Sequence, residues 1–539
     1  MSGRAAAPLE GRRFLEVGDD PAAAYAGRLL VLLGAEVVRI AEGTPARDRG
    51  APRAWLDGVK HIEPAHDAPT GAGWRAVAGG LRWDGALDTT GHLGGVGCPV
   101  VRVLPTASPG EDWAQSGAAA LTGSPESGPL VPPGWLATAM RGAGATFELL
   151  AAVRGVRCPL DGAALLGERA ALAGLAGLAG PVSASGWSHL VAAGDGWLAV
   201  SLARPSDFEL VAAWLEAGDP GRALSPPQLD AWLGARVGQR SVSGLVERAR
   251  LLGLPVAAVG PPSGGADEQL IARGQPWPPA PWLLDGRVPD AVRGALRAPA
   301  PGPDGAGSPG PSVPRVVDLS ALWAGPLASS LLVAAGCQVV KIEDPGRPDT
   351  TRTWSPPFFD LLNAGKQSVA VPFVGGGVLA ELIASADVVV EASRPRAMEQ
   401  LGIEPGTHQL WASITGYGRQ GPWREGVALG DDAAAAGGLV VRAAPGAPPW
   451  FCADAAGDPV TGLHAAVAVL AAIVGGATGT IDLAMREVVG HALGPVPVSG
   501  QWPPGEPAGP LALAPPRARR PWGRAPELGR DTASVLASL

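Results

Sequence analysis

Two carboxylates, Asp458 and Glu487, are the residues of this chain whose type and position would allow them to take part in catalysis. Asp458 directly precedes a proline and a long apolar helix, and Glu487 follows a predicted strand that ends near Ala484. A carboxylate in such a place can attack a carbonyl carbon and form a covalent intermediate, or it can move a proton. Each also has a structural interpretation, because Asp is favoured as a helix N-cap and an acid stabilises the first turn of a helix. From spacing alone the structural interpretation is the stronger one for both residues.

The other candidates for chemistry are few. The sequence has three lysines, Lys60, Lys341 and Lys366, and its remaining fixed cations are arginines. A retained lysine in so arginine-rich a chain is mildly informative. No G-x-G-x-x-G follows a strand and no Walker A motif is present, so these phosphate-binding loops are not supported. A G-x-S-x-G nucleophile elbow is also absent.

Composition excludes several classes of protein. The net charge of −8 argues against a nucleic-acid-binding protein. The four cysteines are far apart and show no metal-ligand spacing, so we expect reduced thiols and no metal site. The N-terminus lacks an apolar signal segment, and the longest apolar run, 463–474, is too short to span a bilayer. We therefore expect a cytoplasmic protein with no membrane contact.

The elements that must position the two carboxylates alternate between strand and helix. The pattern predicts strands over 316–319, 338–342, 368–372, 387–391, 410–415 and 480–484, with helices over 327–335, 378–385, 431–438 and 460–474. Consecutive β-α-β units imply right-handed crossovers and a parallel sheet. The predicted fold class is therefore α/β, with a Rossmann-like open parallel sheet.

A stretch near the N-terminus repeats this pattern. Residues 13–40 align without a gap with residues 315–342, at a separation of 302 residues. Glu16 falls on Asp318, and the segment that ends at Lys60 resembles the one that ends at Lys366. The segment that ends at Glu168 similarly matches the one that ends at Glu487. We therefore expect two Rossmann-like domains, of which the first is degenerate.

Between the two copies lies a different segment. It is predicted to hold a hairpin over 188–201, helical pieces over 206–215, 229–233 and 243–252, and a strand over 255–259, as in a small α+β domain. The predicted regions are a degenerate copy at 1–185, the small α+β domain at 186–298, a Pro/Gly linker at 299–314, the second copy with the probable active site at 315–500, and a Pro/Arg-rich tail at 501–539.

A series of short motifs in the second copy resembles a known family. The motifs are Asp318-Leu-Ser320, Ala324-Gly-Pro326, Val339-Val-Lys-Ile-Glu343, Asn363-Ala-Gly-Lys366-Gln-Ser368, Ala386-Asp-Val-Val-Val-Glu391 and Ser413-Ile-Thr-Gly-Tyr-Gly418. They are similar to those of the family III coenzyme A transferases (CaiB/BaiF), the group of formyl-CoA transferase and carnitine CoA-transferase. The resemblance is strong over roughly 313–490 and weak over 11–175.

The resemblance implies an activity and a role for both carboxylates. Such an enzyme moves CoA from an acyl-CoA thioester to a carboxylic acid, through a mixed anhydride with an enzyme carboxylate and then an enzyme-CoA thioester. Glu487 occupies the place of the nucleophilic Asp in the transferase branch. The longer side chain moves the carboxylate by about 1.5 Å, so either the pocket has adjusted or the activity has been lost. Asp458 matches an acid that acts as acid and base in the racemase branch.

The resemblance also implies how CoA is held. It places Lys366 near the CoA nucleotide and makes Arg352, Arg394 and Lys341 further candidates for phosphate contacts. The Ala324-Gly325-Pro326 turn is expected to shape a helix start beside the ligand. No cofactor is expected to be bound permanently, since acyl-CoA is a substrate, and the partners are small molecules.

Two alternatives to CoA transfer remain open at this point. An α-methylacyl-CoA racemase would need a histidine where this chain reads Gly430-Asp431-Asp432. A non-catalytic paralogue would explain the degenerate first copy and the glutamate at 487. Family transferases are typically interlocked dimers, so this chain is expected to form either a homodimer or a pseudo-dimer within itself.

Overall fold

The computed structural model describes residues 7–41, 55–58, 60–64, 82–91, 93, 96–175, 177–178, 180–218, 224–260, 266–285, 313–375, 377–495, 503–509 and 511–539. Most of the predicted 299–314 linker lies outside these residues. The described chain forms two parallel sheets, to one of which an antiparallel edge strand is added, and two small antiparallel sheets. This is the α/β class that the sequence predicts.

The N-terminal region contains a five-stranded parallel sheet. Its elements are β1 Arg13–Val17, α1 Pro21–Leu32, β2 Glu36–Ala41, β3 His61–Pro64, β4 Gly85–Asp88, β5 Val100–Arg102, α2 Pro109–Gln115, a 3-10 turn Ala118–Leu121, β6 Gly123–Ser124, β7 Gly128–Val131, α3 Leu136–Val153, a 3-10 turn Ala163–Gly167 and α4 Glu168–Ala173. The strand order is β3-β2-β1-β4-β5. Helix α1 begins as the sequence rules require, because Asp20 caps it and a proline follows.

The middle region is a small α+β unit. It contains β8 Ser188–Ala193, β9 Gly196–Ser201, α5 Pro205–Leu215, α6 Pro226–Val237, α7 Val242–Leu252, β10 Val256–Ala258, α8 Glu268–Ala272 and β11 Leu283–Leu284. The predicted hairpin is present, with β8 and β9 antiparallel and β10 added beside β9. Strand β11 leaves this unit and pairs antiparallel with a strand of the C-terminal sheet.

The C-terminal region follows the predicted alternation closely. Its elements are β12 Arg315–Asp318, α9 Ala324–Ala334, β13 Gln338–Glu343, α10 Thr351–Trp354, α11 Pro356–Asn363, β14 Gln367–Ala370, α12 Gly377–Ala384, β15 Val388–Glu391, α13 Pro395–Gln400, β16 Leu410–Thr415, α14 Gly430–Ala436, α15 Gly457–Gly475, β17 Gly479–Ala484, α16 Met485–Leu493, β18 Glu506–Pro507 and α17 Thr532–Leu536. The sheet has the order β11-β17-β16-β15-β12-β13-β14. The order reverses beside β12, which makes its carboxyl end the place where an open α/β sheet binds ligands.

The two parallel sheets have the same internal order and the same register. In each, the first strand lies between the second and the fourth, and the third and fifth lie outside them. Arg13 pairs with Glu36 in the first sheet, and Arg315 pairs with Gln338 in the second. Both pairs are related by the 302-residue separation seen in the sequence.

One apolar core connects the two regions. Helix α15 packs against α9 and α16 of its own region and against α3 of the N-terminal region. It is the one helix among the described residues that is long and apolar enough to cross a membrane by length and composition, and 83% of its 18-residue window is buried inside the fold. Such burial is typical of a core helix. The helix begins three residues before the predicted start of 460–474, because Gly457 to Pro459 form its first turn.

Candidate active site

The N-termini of α9, α14 and α15 meet beside the carboxyl end of β12. Glycines allow this close approach. A Cβ atom at Gly430 would lie 2.4 Å from the carbonyl oxygen of Ala455, and one at Gly457 would lie 2.6 Å from that of Gly430. A Cβ atom at Gly462 would lie 2.6 Å from the carbonyl oxygen of Ala324. Any larger residue at these positions would push the three helix starts apart.

Asp458 lies at this meeting point, in the first turn of α15, and is half-buried. The backbone N–H of Ala324, the first residue of α9, donates a hydrogen bond to its carboxylate, and no ion pair to Asp458 is present among the described residues. Burial raises the pKa of Asp458 to about 7, Arg169 opposes this rise, and Asp431 adds to it. The carboxylate is therefore partly ionised at neutral pH, and it can serve as a nucleophile or as an acid.

The surroundings of Asp458 come from three regions of the chain. Arg169, in α4 of the N-terminal region, binds Asp454 with Nε–Oδ2 and Nη2–Oδ1 distances of 2.7 and 2.5 Å. Asp431, in α14, accepts a hydrogen bond of 2.9 Å from the N–H of Ala455 and another from the hydroxyl of Ser188 in β8. No group of three or more His, Cys, Asp or Glu side chains suited to a metal ion occurs among the described residues.

Backbone strain is concentrated around the same point. Five non-glycine residues in the described part of the chain have positive φ, and three of them flank Asp458 or Ala324. They are Leu322 at 70°, Ala453 at 59° and Ala455 at 45°. Such conformations cost of order 1–3 kcal/mol each and persist where the surrounding structure enforces them, which is common at functional sites.

Glu487 is held in a buried ion pair. It lies in the first turn of α16, and its side chain is 3% exposed. Arg273 binds it bidentately, with Nε–Oε1 at 2.7 Å and Nη2–Oε2 at 3.0 Å, and the same guanidinium binds Asp482 at 2.7 Å. Burial raises the pKa of Glu487, whereas Arg273 lowers it. The carboxylate predicted to be the nucleophile is therefore engaged on both oxygens and enclosed by protein.

The N-terminal region repeats this glutamate–arginine pair. Glu168, which the sequence alignment matched with Glu487, is also buried. Arg519 of the C-terminal tail binds it with Nε–Oε1 at 2.6 Å and Nη2–Oε2 at 3.0 Å. The same arrangement in both regions is typical of a structural position, where an incoming chain segment is tied to a helix start.

The two lysines predicted to contact CoA are enclosed. The ammonium of Lys366 donates to Asp318 at 3.0 Å and to Ser329 at 2.7 Å, and also to Asn363 and to the carbonyl of Pro326. Lys341 donates to the carbonyl of Ser320 at 2.8 Å and pairs with Asp349 at 3.2 Å; neither lysine side chain is more than 2% exposed. Both ammonium groups bind protein acceptors near the ends of the strands, which is typical of a structural role.

The two predicted arginines differ from each other. Arg352 pairs with Glu343 at 2.5 Å and donates to the carbonyl of Pro526 at 3.0 Å, so it ties the tail to the sheet. Arg394 is exposed at the carboxyl end of β15, and partial burial and the neighbouring Arg396 lower its pKa. Arg394 is thus the one predicted CoA contact whose cationic group is open to solvent.

The Ala324-Gly325-Pro326 turn lies where the sequence placed it, and it forms the first turn of α9. Ala324 supplies the amide that reaches Asp458. Gly325 is required because a Cβ atom there would lie 2.2 Å from Oγ of Ser320. The turn therefore links the end of β12 directly to the carboxylate.

Sequence reasoning missed Arg169, Arg273 and Asp454. Their partners lie far away along the chain, 285 residues for Arg169 and Asp454 and 214 for Arg273 and Glu487. No local pattern marks such pairs. The one available signal was the alignment of Glu168 with Glu487, which placed a residue of the N-terminal region next to Arg169 in a repeated position.

Comparisons with known proteins agree with the motifs in the C-terminal region. The family model for CoA-transferase family III matches residues 314–531. The human succinyl-CoA:glutarate CoA-transferase is 34% identical over 177 residues, which is 30% of this chain and 40% of that protein. An Escherichia coli formyl-CoA:oxalate CoA-transferase is 30% identical over 177 residues, 30% of this chain and 42% of that protein. The chain thus spans about two fifths of the length of these curated relatives.

Solved structures are similar over a comparable share. A CaiB/BaiF family protein from Brucella suis is 28% identical, with 33% of this chain and 54% of that chain covered and a TM-score of 0.31. A Mycobacterium tuberculosis protein is 32% identical, with 34% and 57% covered and the same TM-score of 0.31. Residues 314–531 of this chain are thus similar in sequence to CoA-transferase family III.

Proposed function

We propose that this chain transfers CoA from an acyl-CoA thioester to a carboxylic acid, and that Asp458 is the carboxylate that accepts the acyl group. The observation that carries the proposal is the contrast between the two carboxylates. Asp458 is half-buried, is contacted by one backbone N–H and has a pKa of about 7. Glu487 is fully engaged by Arg273. A nucleophile needs a free lone pair, and Asp458 offers one.

The reaction balances through two covalent intermediates. A carboxylate oxygen of Asp458 attacks the thioester carbonyl and expels CoA thiolate, which leaves an acyl anhydride on the side chain. The thiolate then attacks the carbonyl of the side chain, releases the first acid as a carboxylate and leaves an enzyme-CoA thioester. The carboxylate of the acceptor repeats these steps in reverse and leaves as the new thioester. The N-terminus of α9 supports the first step, because its amide dipoles stabilise negative charge at Asp458.

The nucleotide end of CoA is proposed to bind at the carboxyl edge of the C-terminal sheet. Arg394 follows β15 and Arg347 follows β13, and both are exposed. The positive charges of Arg396, Arg204 and Arg347 all lower the pKa of Arg394, so the four form one cationic cluster. The loops after β12 and β15 flank the reversal of strand order, where open α/β sheets bind ligands. A phosphate group there would relieve the repulsion between the arginines.

Removing the cationic cluster should weaken binding without slowing chemistry. Arg394→Gln and Arg347→Gln are each expected to raise KM for an acyl-CoA about 10-fold with kcat nearly unchanged, because the lost interaction is equal in ground state and transition state. The measurement is steady-state kinetics at low ionic strength. Arg248→Gln, an exposed arginine of the middle region, is the control.

A truncated substrate sharpens this test. An acyl-pantetheine lacks the nucleotide phosphates, so its KM should be the same for the wild type and both variants. If KM rises equally for the truncated and the full substrate, the cluster does not bind the nucleotide and the assignment is wrong.

The activity itself is tested with a panel of thioesters and free acids. The names of the relatives favour short acids, so succinyl-CoA and formyl-CoA are offered with glutarate and oxalate. Formation of the second acyl-CoA by the wild-type chain supports the proposal. Deuterium uptake at the α-carbon without transfer would instead indicate an isomerase, and neither reaction with any pair would contradict a catalytic role.

We further propose that the N-terminal region acts as a built-in partner for the C-terminal one. Gly142 of α3 approaches the carbonyl of Ala22 as Gly462 of α15 approaches that of Ala324, with Cβ positions 2.4 and 2.6 Å away. Thr138 stands four residues before Gly142, where Asp458 stands before Gly462. The N-terminal region thus has a threonine in place of the reactive acid.

This arrangement predicts one reactive site per chain. The protein should be active as a single chain in solution, and trapping with hydroxylamine should give one modified residue per chain at saturation, because Thr138 cannot form an anhydride. The measurement is intact-mass spectrometry beside light scattering. Two adducts per chain would contradict the arrangement, as would activity that disappears when a dimer is diluted to monomers.

A further inference from the structure

Arg169 contacts two segments that lie beside Asp458, through Asp454 and Trp323. Its guanidinium binds both oxygens of Asp454 at 2.7 and 2.5 Å. The carbon Cζ lies 5.0 Å from the centre of the Trp323 ring, which places the cation against an aromatic side chain. Its side chain is 16% exposed and that of Asp454 is fully buried. Arg169 is therefore fixed from two directions.

The two contacts lie in the two segments that place Asp458 and its hydrogen-bond donor. Asp454 lies in the strained turn that leads into α15, four residues before Asp458. Trp323 directly precedes Ala324, whose N–H binds the carboxylate. Both segments belong to the C-terminal region, whereas Arg169 comes from α4 of the N-terminal one. One guanidinium thus holds together the two segments that present the acid and its amide donor.

The N-terminal region fixes the same turn at a second place. Oγ1 of Thr122 accepts a hydrogen bond of 3.0 Å from the N–H of Ala453, which has a left-handed φ of 59°. The strain in the turn is therefore maintained by contacts from outside the C-terminal region. Without them the turn would be free to relax toward ordinary backbone angles.

The charges around Asp458 also indicate a role for Arg169. Three carboxylates face this small volume, Asp431 from α14, Asp454 from the turn and Asp458 from α15. Among the described residues, Arg169 is the cation that acts on all three of them. Three acids with no cation would repel one another, and the pKa of Asp458 would rise further without the opposing charge of Arg169.

We propose that Arg169 of the N-terminal region is a positioning residue for Asp458, which holds the carboxylate against the amide of Ala324 and keeps it available for attack. This inference rests on the proposed function of Asp458. It gives the N-terminal region a defined task in catalysis, although that region has lost a reactive acid of its own.

The test compares Arg169→Gln with Arg169→Lys. The glutamine variant is expected to move the acidic limb of the kcat/KM profile upward by about 1 pH unit and to lower kcat at pH 7 by about 10- to 100-fold, because both the charge and the geometry are lost. The lysine variant keeps the charge but not the two parallel hydrogen bonds. Its kcat should fall while the acidic limb stays close to that of the wild type.

Arg141→Gln is the matched control. Arg141 pairs with Asp112 in the N-terminal region at 2.7 Å, and its side chain is 17% exposed while that of Asp112 is 1% exposed, nearly as in the Arg169 pair. Arg141 and Thr138 both donate hydrogen bonds to Asp112, so this ion pair lies beside the threonine that stands in place of the reactive acid. Any loss from removing a buried ion pair of this kind should appear in both variants, whereas the shift of the pH profile should appear for Arg169→Gln alone.

The possible outcomes distinguish a failure of the role proposed for Arg169 from a failure of the function proposed for Asp458. If the wild type transfers CoA and traps at Asp458, but Arg169→Gln keeps the wild-type pH profile, Arg169 is structural and the inference is overturned. If Arg169→Gln does not fold, the test depends on Arg169→Lys. A shift of its acidic limb by about 1 pH unit from the wild-type position would then overturn the inference. A wild type that never traps at Asp458 refutes the proposed function instead.

Discussion

Asp458→Asn is expected to abolish CoA transfer, with a loss of at least about 1000-fold in kcat, because the amide cannot form the anhydride through which the acyl group passes. The substitution keeps the shape of the side chain and an oxygen that can still accept the hydrogen bond from Ala324. The loss should therefore appear in kcat and not in the affinity for acyl-CoA. Steady-state kinetics and equilibrium binding of CoA measure the two quantities separately.

The same variant should be more stable than the wild type at pH 8. The folded pKa of Asp458 is raised to about 7 from an ordinary value of 3.8. The folded state therefore holds a proton that the unfolded state has lost, and the wild type loses stability as the pH rises from about 4 through about 7. Asparagine carries no such penalty. We expect a gain on the order of 2 kcal/mol at pH 8 that disappears near pH 4, measured by urea unfolding.

Glu487→Gln is the control for this prediction. It breaks the bidentate pair with Arg273, although Asp482 remains as a partner for that guanidinium. A loss of stability of roughly 1–3 kcal/mol is expected, with the transfer reaction retained in the folded fraction. Loss of transfer in a fully folded Glu487→Gln, together with normal transfer by Asp458→Asn, would reverse the roles assigned to the two acids.

The second large effect is expected for Lys366→Met, which should lower the free energy of unfolding by about 3–5 kcal/mol. It would leave the fully buried Asp318 without its closest cation, and Lys366 is the first of the groups that hold the pKa of Asp318 below its usual range against the effect of burial. Since that stability is present above the unfolded pKa of an aspartate, the loss should be largest at neutral pH and shrink in acid. Urea unfolding at pH 7 and pH 4 tests both statements.

Two further variants distinguish a structural lysine from a CoA contact. Lys60→Met should cost a similar amount, because Lys60 binds Glu16 at 2.7 Å in the equivalent place of the N-terminal sheet. Asp318→Asn combined with Lys366→Met should recover part of the stability, since no unpaired charge remains. If Lys366→Met unfolds like the wild type and instead raises KM for acyl-CoA, the lysine binds the ligand after all.

The fold could be predicted well where the signal is local. Strand β16 was predicted with its observed bounds of 410–415, because a run of apolar residues is followed by a turn. Helix α9 begins three residues before its predicted start, because the Ala-Gly-Pro turn forms its first helical turn. The pairing of β11 with β17, and of β18 with β7, could not be predicted because each joins short segments that are distant along the chain.

The environments of the candidate site residues could be predicted less well, for a physical reason. The sequence singled out Asp458, Ala324 and Arg394, whose positions depend on the local start of a helix or the end of a strand. The resemblance implied a nucleophilic role for Glu487 and a CoA contact for Lys366, and residue type and spacing do not reveal that both side chains are buried. Their environments are decided by partners from other segments, such as Arg273 for Glu487. Local pattern places a side chain, and tertiary contacts decide whether it is free to react.

Mapping the covalent intermediate tests the central claim most directly. The protein is incubated with succinyl-CoA, treated with hydroxylamine, digested and analysed by mass spectrometry, for the wild type, Asp458→Asn and Glu487→Gln. A hydroxamate at residue 458 in the wild type and in Glu487→Gln, and none in Asp458→Asn, is the predicted result. A hydroxamate at Glu487, or active transfer with no modified carboxylate, would contradict the account.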